Sequence, residues 1–462
     1  MRHMHVRATT VAIVLIFLLV GTGCTSVNEP LGTKVNRTRA ALAAAPPPMD
    51  AQADQRIGPA TLPVSRPANT AGNYPRDDGF FVGVAISGGG SRSANFSAAC
   101  MFQLQRLGLL QRADYVSAVS GGALSAAYYC VSDDTQWNVT NVTGKLSHGF
   151  ANDALFQMLL PWNPPLLTFT DWDRSDLLAG SFRNVLFTRK GKALTFSDLR
   201  EDRPRLLINS TDLQSGKPFV FCNETFDHLK SDLASYPLAH AVAASSAVPV
   251  LLHQVTLRDY AAQPDKKQYR HLIDGGVVDN LGVKSLVETY RAQLRDGGGE
   301  IYPRGAVFIV IDARTEYDAR LSDRGDTSLL ESLQFGAGVT STVLINRASS
   351  ATLAEIILDS APDHVDAATL RRERQDLIER GYVRIEDVGG RPVYVLHLAL
   401  SRVNELDHLP FKTFSQNVNS ISTYFNIKKS EVKNLYLAAE LLVGKRYHRE
   451  LAAIAQELNR RH

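Results

Sequence analysis

Three short stretches hold the residue types of this 462-residue chain that suit covalent chemistry. Gly88-Gly89-Gly90-Ser91-Arg92 closes the apolar run Phe80-Phe81-Val82-Gly83-Val84-Ala85-Ile86 and opens a segment of helix formers that ends at Gly108. Ser120 stands in a second strand-to-helix turn, between Tyr115-Val116-Ser117-Ala118-Val119 and Gly121-Gly122-Ala123-Leu124. Asp274 ends a third apolar stretch, Tyr269-Arg270-His271-Leu272-Ile273, and is followed by Gly275-Gly276. Glycines at a helix N-terminus leave N–H groups bare, and with the helix dipole they can hold an anion. The spacing around Gly88 is neither Gly-x-x-x-x-Gly-Lys-Ser/Thr nor Gly-x-Gly-x-x-Gly, so a tetrahedral oxyanion is a better candidate than a nucleotide phosphate. A serine on a sharp strand-to-helix corner presents its hydroxyl above the sheet. The pairing of such a serine with an anion-holding turn suggests a serine acyl hydrolase.

Taken in order, the three motifs resemble the patatin-like phospholipase family, whose members carry a Gly-Gly-Gly-x-Arg/Lys-Gly loop, a Gly-x-Ser-x-Gly elbow and an Asp-Gly-Gly/Ala motif. Two further stretches are similar to that family, Arg205 to Leu213 and Ala241 to Pro249, and the resemblance covers roughly residues 79–320. Two positions depart from the pattern: Ser93 stands where the loop has its last glycine, and Ala118 where the elbow has its first. The resemblance implies an α/β protein with a three-layer α/β/α patatin-like fold and a mainly parallel central sheet. It also implies a Ser-Asp dyad in which Asp274 takes the proton of Ser120, with backbone N–H groups of Gly88, Gly89, Gly90 and Gly121 as the oxyanion hole. The expected substrates are phospholipids or lysophospholipids, and neither a metal nor a cofactor is called for. Arg92 reads equally well as a group that steers a phospholipid headgroup and as a tie between the loop and a carboxylate.

A carboxylate with an ordinary pKa near 4 is a poor base at neutral pH, so Asp274 must be desolvated to serve. Asp279 and Asn280 precede a helix-like segment and read as capping residues. A rival catalytic reading, a Ser-Asp-His triad, needs a histidine after the acid, and His364, His397 and His408 are available. His397 falls inside an alternating strand candidate, where packing is the simpler role. A third reading keeps the pocket without turnover, as a lipid-binding scaffold.

The elements that must position these residues occupy residues 79–462, read as one acyl hydrolase domain with a C-terminal helical extension. Ala306 to Asp312 is a buried strand candidate, and helix candidates lie near Leu329 to Leu358 and Ser430 to Leu442. Residues 1–23 read as a lipoprotein signal peptide: a basic start, an apolar run from Val11 to Val20 and small residues before Cys24. Ten apolar residues are too few to span a bilayer. Cys24 is then the lipidated first residue of an exported bacterial lipoprotein, with the outer membrane as the expected destination because Thr25 lacks the retaining aspartate. Residues 24–78, punctuated by Pro46-Pro47-Pro48, Pro59, Pro63 and Pro67, read as a flexible tether.

With Cys24 in the anchor, Cys100, Cys130 and Cys222 form neither a disulfide framework nor a zinc spacing. Fifty basic against 47 acidic side chains, a net charge of +3, argue against a nucleic-acid surface, and no protein partner is indicated. The three tryptophans, Trp137, Trp162 and Trp172, share an apolar, proline-broken interval with Leu155, Phe156 and Leu166. That interval is expected to be either core or a lid over Ser120.

Overall fold

The computed structural model describes residues 27–31, 79–161, 163, 173–249, 252–262, 267–296, 301–315, 366–387, 389–406 and 412–460. Cys24, Trp162, Leu166, Trp172, His364, His408 and the helix candidate near Leu329 to Leu358 lie outside them.

Thirteen strands are present among these residues. β1 (Glu29–Pro30) pairs with β8 (Ser231–Asp232), and β4 (Thr188–Arg189) with β5 (Lys192–Ala193). The other nine form the central sheet: β2 (Phe80–Ile86), β3 (Tyr115–Val119), β6 (Arg205–Asp212), β7 (Lys217–Phe221), β9 (Val255–Asp259), β10 (Gln268–Asp274), β11 (Gly305–Asp312), β12 (Tyr382–Glu386) and β13 (Pro392–Ala399). β13, β11, β2, β3 and β6 run parallel in that order. β12, β7, β10 and β9 are antiparallel to their neighbours, so the sheet is mixed, with antiparallel strands flanking a parallel centre of five. The antiparallel pairs β6–β7, β9–β10 and β12–β13 join strands that are close in sequence, whereas parallel neighbours need long crossovers.

Alternation along β2 divides the core between the two faces. Phe80, Val82, Val84 and Ile86 belong to one buried cluster, with side chains of α1 (Gly90–Arg106), α2 (Gly121–Val131) and the C-terminal helices. Phe81 and Ala85 belong to the other, closed by Leu286, Val287 and Tyr290 of the helix Val283–Asp296 and by Leu377 of the helix Ala367–Arg380. Both faces are covered, which gives three layers and explains why the parallel strands β2 and β11 read as apolar runs.

The C-terminal helix read as Ser430 to Leu442 is Lys429–Leu441 and packs on α1, with Val432, Leu435, Ala438 and Leu441 buried but Leu437 turned outward. Trp137 is core: it stacks on Phe102 with ring centres 4.9 Å apart, and its indole N–H donates to Gln105 Oε1. Leu155 and Phe156 are exposed on α4 (Phe150–Leu159), the helix that follows α3 (Val139–Leu146). Cys100, Cys130 and Cys222 are free and buried, and burial pushes their thiols up, away from the reactive thiolate. Among the described residues no helix is long and apolar enough to cross a membrane, and no three His, Cys, Asp or Glu side chains gather as a metal site.

Candidate active site

The register of β6 explains how Ser120 and Asp274 come together. Ile208 and Asn209 pair with Ala118 and Val119 of β3 on one side and with Phe221 and Val220 of β7 on the other. The next residues, Ser210 to Asp212, keep β7 on that other side and pair with Asp274, Ile273 and Leu272 of β10. β10 therefore lies on the side of β6 that β3 has just vacated, running the opposite way. The two strands end head to head, with Val119 opposite Asn209 and Asp274 opposite Ser210. A side chain at Gly275 would run into the Asn209 carbonyl, which accounts for the glycine after the acid.

Ser120 is the corner between β3 and α2. Its φ of 50° and ψ of −126° are costly for a non-glycine residue, so the surrounding contacts must hold it there. Ser245, at the end of the helix Leu238–Ser245, does so. Its hydroxyl accepts the Ser120 N–H at 2.7 Å and donates to the Asn209 carbonyl. The elbow forms with Ala118 two residues before the serine, buried in the β3 ladder between Ile86 and Ile208.

Asp274 is buried, and its Oδ1 accepts the Gly276 N–H at 2.7 Å. Burial pushes its pKa up to about 6, while hydrogen bonding from Gly276 and from the Ser120 hydroxyl pulls the other way. This is the desolvated carboxylate that general-base work near neutral pH requires.

Of the four expected oxyanion donors, Gly88 is already committed: its N–H donates to the Asn280 carbonyl at 2.9 Å. Among the described residues the N–H groups of Gly89, Gly90 and Gly121 have no acceptor. Gly89 and Gly90 have positive φ, 134° and 53°, and a side chain at Gly90 would run into the Thr423 carbonyl. Ser93 fits the loop, donating from Oγ to the Ser87 carbonyl at 2.5 Å. Arg92 is buried, with Nη1 on the Ile421 carbonyl at 2.8 Å and on Thr315 Oγ1 at 3.3 Å. Burial lowers its pKa to about 10, with Asp312 acting against that. It thus ties the loop to the C-terminal segment. Ser91 N–H adds a bond to the Tyr424 carbonyl at 3.3 Å.

His397 is three strands away from Ser120, on β13, where its Nε2 meets Asp312 Oδ2 at 2.9 Å. Burial lowers the His397 pKa, and the Asp312 hydrogen bond opposes that shift. Asp312 itself is buried, yet Arg314 and His397 hold its carboxyl well below the usual range. Asp279 caps the following segment, accepting the N–H groups of Leu281 and Lys284. Asn280 does more than cap, since its side-chain oxygen lies against both Gly88 and Gly276 and its carbonyl takes the Gly88 N–H. Sequence reasoning missed the roles of Ser245, Asn280, Ile421 and Tyr424. Only Ser245 had a signal, in the Ala241 to Pro249 stretch.

A strained serine corner facing a buried carboxylate, beside a glycine loop with bare N–H groups, defines an α/β protein with a nucleophile elbow. Residues 84–287 match the patatin-like phospholipase family model, so the chain carries a patatin-like phospholipase domain. No curated protein sequence matches the chain. Solved structures similar to it include human GIVD cytosolic phospholipase A2, at 12% identity over 83% of this chain and 62% of that one, with a TM-score of 0.48. VipD from Legionella pneumophila is 13% identical over 82% of this chain and 74% of its own, with a TM-score of 0.29. The type III effector protein ExoU is 15% identical over 82% and 81%, with a TM-score of 0.23. The chain spans less than two thirds of the human protein's length.

The Asp274 environment has a consequence for stability. Its folded-state pKa lies above the unfolded value, so its stabilising contribution is full below about pH 4 and is lost as pH rises through about 6. Asp274→Asn is expected to stabilise the fold at pH 8 by about 2–3 kcal/mol and to change little at pH 4, as read by chemical denaturation. The same shift at both pH values would contradict a desolvated carboxylate.

Proposed function

We propose that this protein is a serine acyl hydrolase that cleaves ester-linked acyl chains of phospholipids or lysophospholipids through a covalent acyl-enzyme. The observation that carries the reading is the head-to-head meeting of β3 and β10, with buried Asp274 and strained Ser120 on adjoining rows of β6. Ser120 Oγ attacks the ester carbonyl while its proton passes to the Asp274 carboxylate. The carbonyl oxygen becomes an oxyanion held by the N–H groups of Gly89, Gly90 and Gly121. Collapse breaks the ester C–O bond, and the leaving alcohol takes the proton from Asp274. Water then repeats the sequence on the acyl-serine, giving its proton to Asp274, and fatty acid leaves as Ser120 recovers its hydrogen.

Ser120→Ala and Asp274→Asn are each expected to lower kcat/KM on a phospholipid by about a thousandfold or more, because the two residues act as one unit. Circular dichroism should show both variants folded. Most activity surviving in either folded variant would contradict the dyad.

We also propose that Cys24 carries a lipid anchor, which would set the enzyme on the membrane that supplies its substrate. In a bacterial host, Cys24→Ser is expected to abolish incorporation of labelled fatty acid. Unchanged labelling would contradict the anchor.

A further inference from the structure

Residues 27–31, read from the sequence as part of a flexible tether, are bonded to the domain. β1 pairs with β8, Glu29 opposite Asp232 and Pro30 opposite Ser231, and the Leu31 N–H donates to the Lys230 carbonyl at 2.9 Å. Asn28 is only 3% exposed. Its side-chain amide treats Arg258 of β9 as a strand neighbour would: Oδ1 accepts the Arg258 N–H at 2.9 Å and Nδ2 donates to the Arg258 carbonyl at 2.8 Å. Nδ2 also donates to Ser231 Oγ, and the Tyr260 hydroxyl donates to the Asn28 carbonyl at 2.7 Å. The Ser231 hydroxyl in turn donates to the Glu29 carbonyl.

The place of this attachment follows from the strand register. From Asp274, beside Ser120, β10 runs back past Asp212, the last residue of β6, and on to Gln268 opposite Asp259. Six residues at about 3.4 Å each carry the β9–β10 hairpin roughly 20 Å beyond the nucleophile, on the carboxyl side of the parallel strands. Asn28 grips that hairpin at Arg258 and Tyr260. Exposed apolar side chains gather at the same end: Val27 in the attached segment, Leu213 in the β6–β7 turn, Val277 just after Gly276, and Tyr424 against the oxyanion loop.

We propose that residues 27–31 are a clamp that fixes the domain's orientation on its membrane, turning the carboxyl end of the sheet, with Ser120 and Asp274, toward the leaflet that holds the anchor. The proposal rests on the reading of Cys24 as the lipidated residue. Only Thr25 and Ser26 separate Cys24 from Val27, a reach of about 10 Å at 3.3–3.6 Å per residue. A long tether would let the domain tumble, whereas this leash holds the clamped corner at the bilayer surface. The four exposed apolar side chains then meet lipid instead of water.

The test uses the full-length acylated protein in phosphatidylethanolamine and phosphatidylglycerol vesicles that carry an acceptor dye. A donor is placed at Gln214→Cys, at the carboxyl end, or at Glu386→Cys, at the amino end; Cys100, Cys130 and Cys222 are buried and do not compete. The two positions are roughly 40 Å apart along the sheet, about twelve residues at 3.3 Å each. Energy transfer is expected to be severalfold stronger from position 214. Inserting fifteen Gly/Ser residues between Ser26 and Val27 should bring the two positions close to equal. It should also lower hydrolysis of the host vesicle's phospholipid at least fivefold, with a soluble short-chain ester unaffected. Protein that is not acylated at Cys24 in the bacterial host, or that joins vesicles equally well as the Cys24→Ser variant, overturns the anchor and the proposal with it. Anchored protein with equal transfer from both positions, or with the insertion changing nothing, overturns the clamp alone.

Discussion

β6 has two partners in succession on one side, and that arrangement sets the rest of the site. Because β3 stops at Val119 and β10 arrives at Asp274 on the next row, two strand ends meet where a continuous ladder would leave no room for a side-chain reaction. The backbone must leave the sheet abruptly at both places. Ser120 does so through a strained corner, held by Ser245, and Asp274 through Gly275, pressed against the Asn209 carbonyl. The carboxylate is consequently dry, which is what raises its basicity.

The glycine loop Gly88-Gly89-Gly90 is held from outside the family-matched residues. The Ile421 carbonyl binds Arg92, the Tyr424 carbonyl accepts the Ser91 N–H and the Thr423 carbonyl abuts Gly90, all from a segment more than 130 residues beyond residue 287. The same segment is pinned on its far side: the Ala151 N–H donates to the Phe425 carbonyl, and the side chains of Asn426 and Asn152 are hydrogen-bonded to each other. The C-terminal helices thus do more than close the core, since they fix a wall of the candidate active site.

Much of this was legible in the sequence, for identifiable physical reasons. Apolar runs gave β2, β3 and β11, because parallel central strands are buried on both faces and show no polar alternation, and a short apolar end before Asp274 gave the antiparallel β10. Glycines gave the two turns, and Asp274 stood out by its place at a strand end. The shared lane of β3 and β10 was invisible, since pairing register is a long-range property. So were the contacts of Ile421, Thr423 and Tyr424, which are made by main-chain carbonyls that any residue would supply. Gly88 illustrates the same limit: its type suits an oxyanion donor, but its N–H is taken by the Asn280 carbonyl. The attachment at Asn28 was hidden inside a proline-punctuated stretch, where a single buried amide leaves no pattern.

Asp274 as the direct base for Ser120 is the claim on which the functional reading turns. The rate of Ser120 modification by a fluorophosphonate, followed by mass spectrometry from pH 4 to 9, tests it most directly. The account predicts a rate that rises through one ionisation near pH 6 and then levels, that is unchanged in His397→Gln and that is lost in Asp274→Asn. A pH profile that survives Asp274→Asn, or that vanishes when a histidine is replaced, would contradict it.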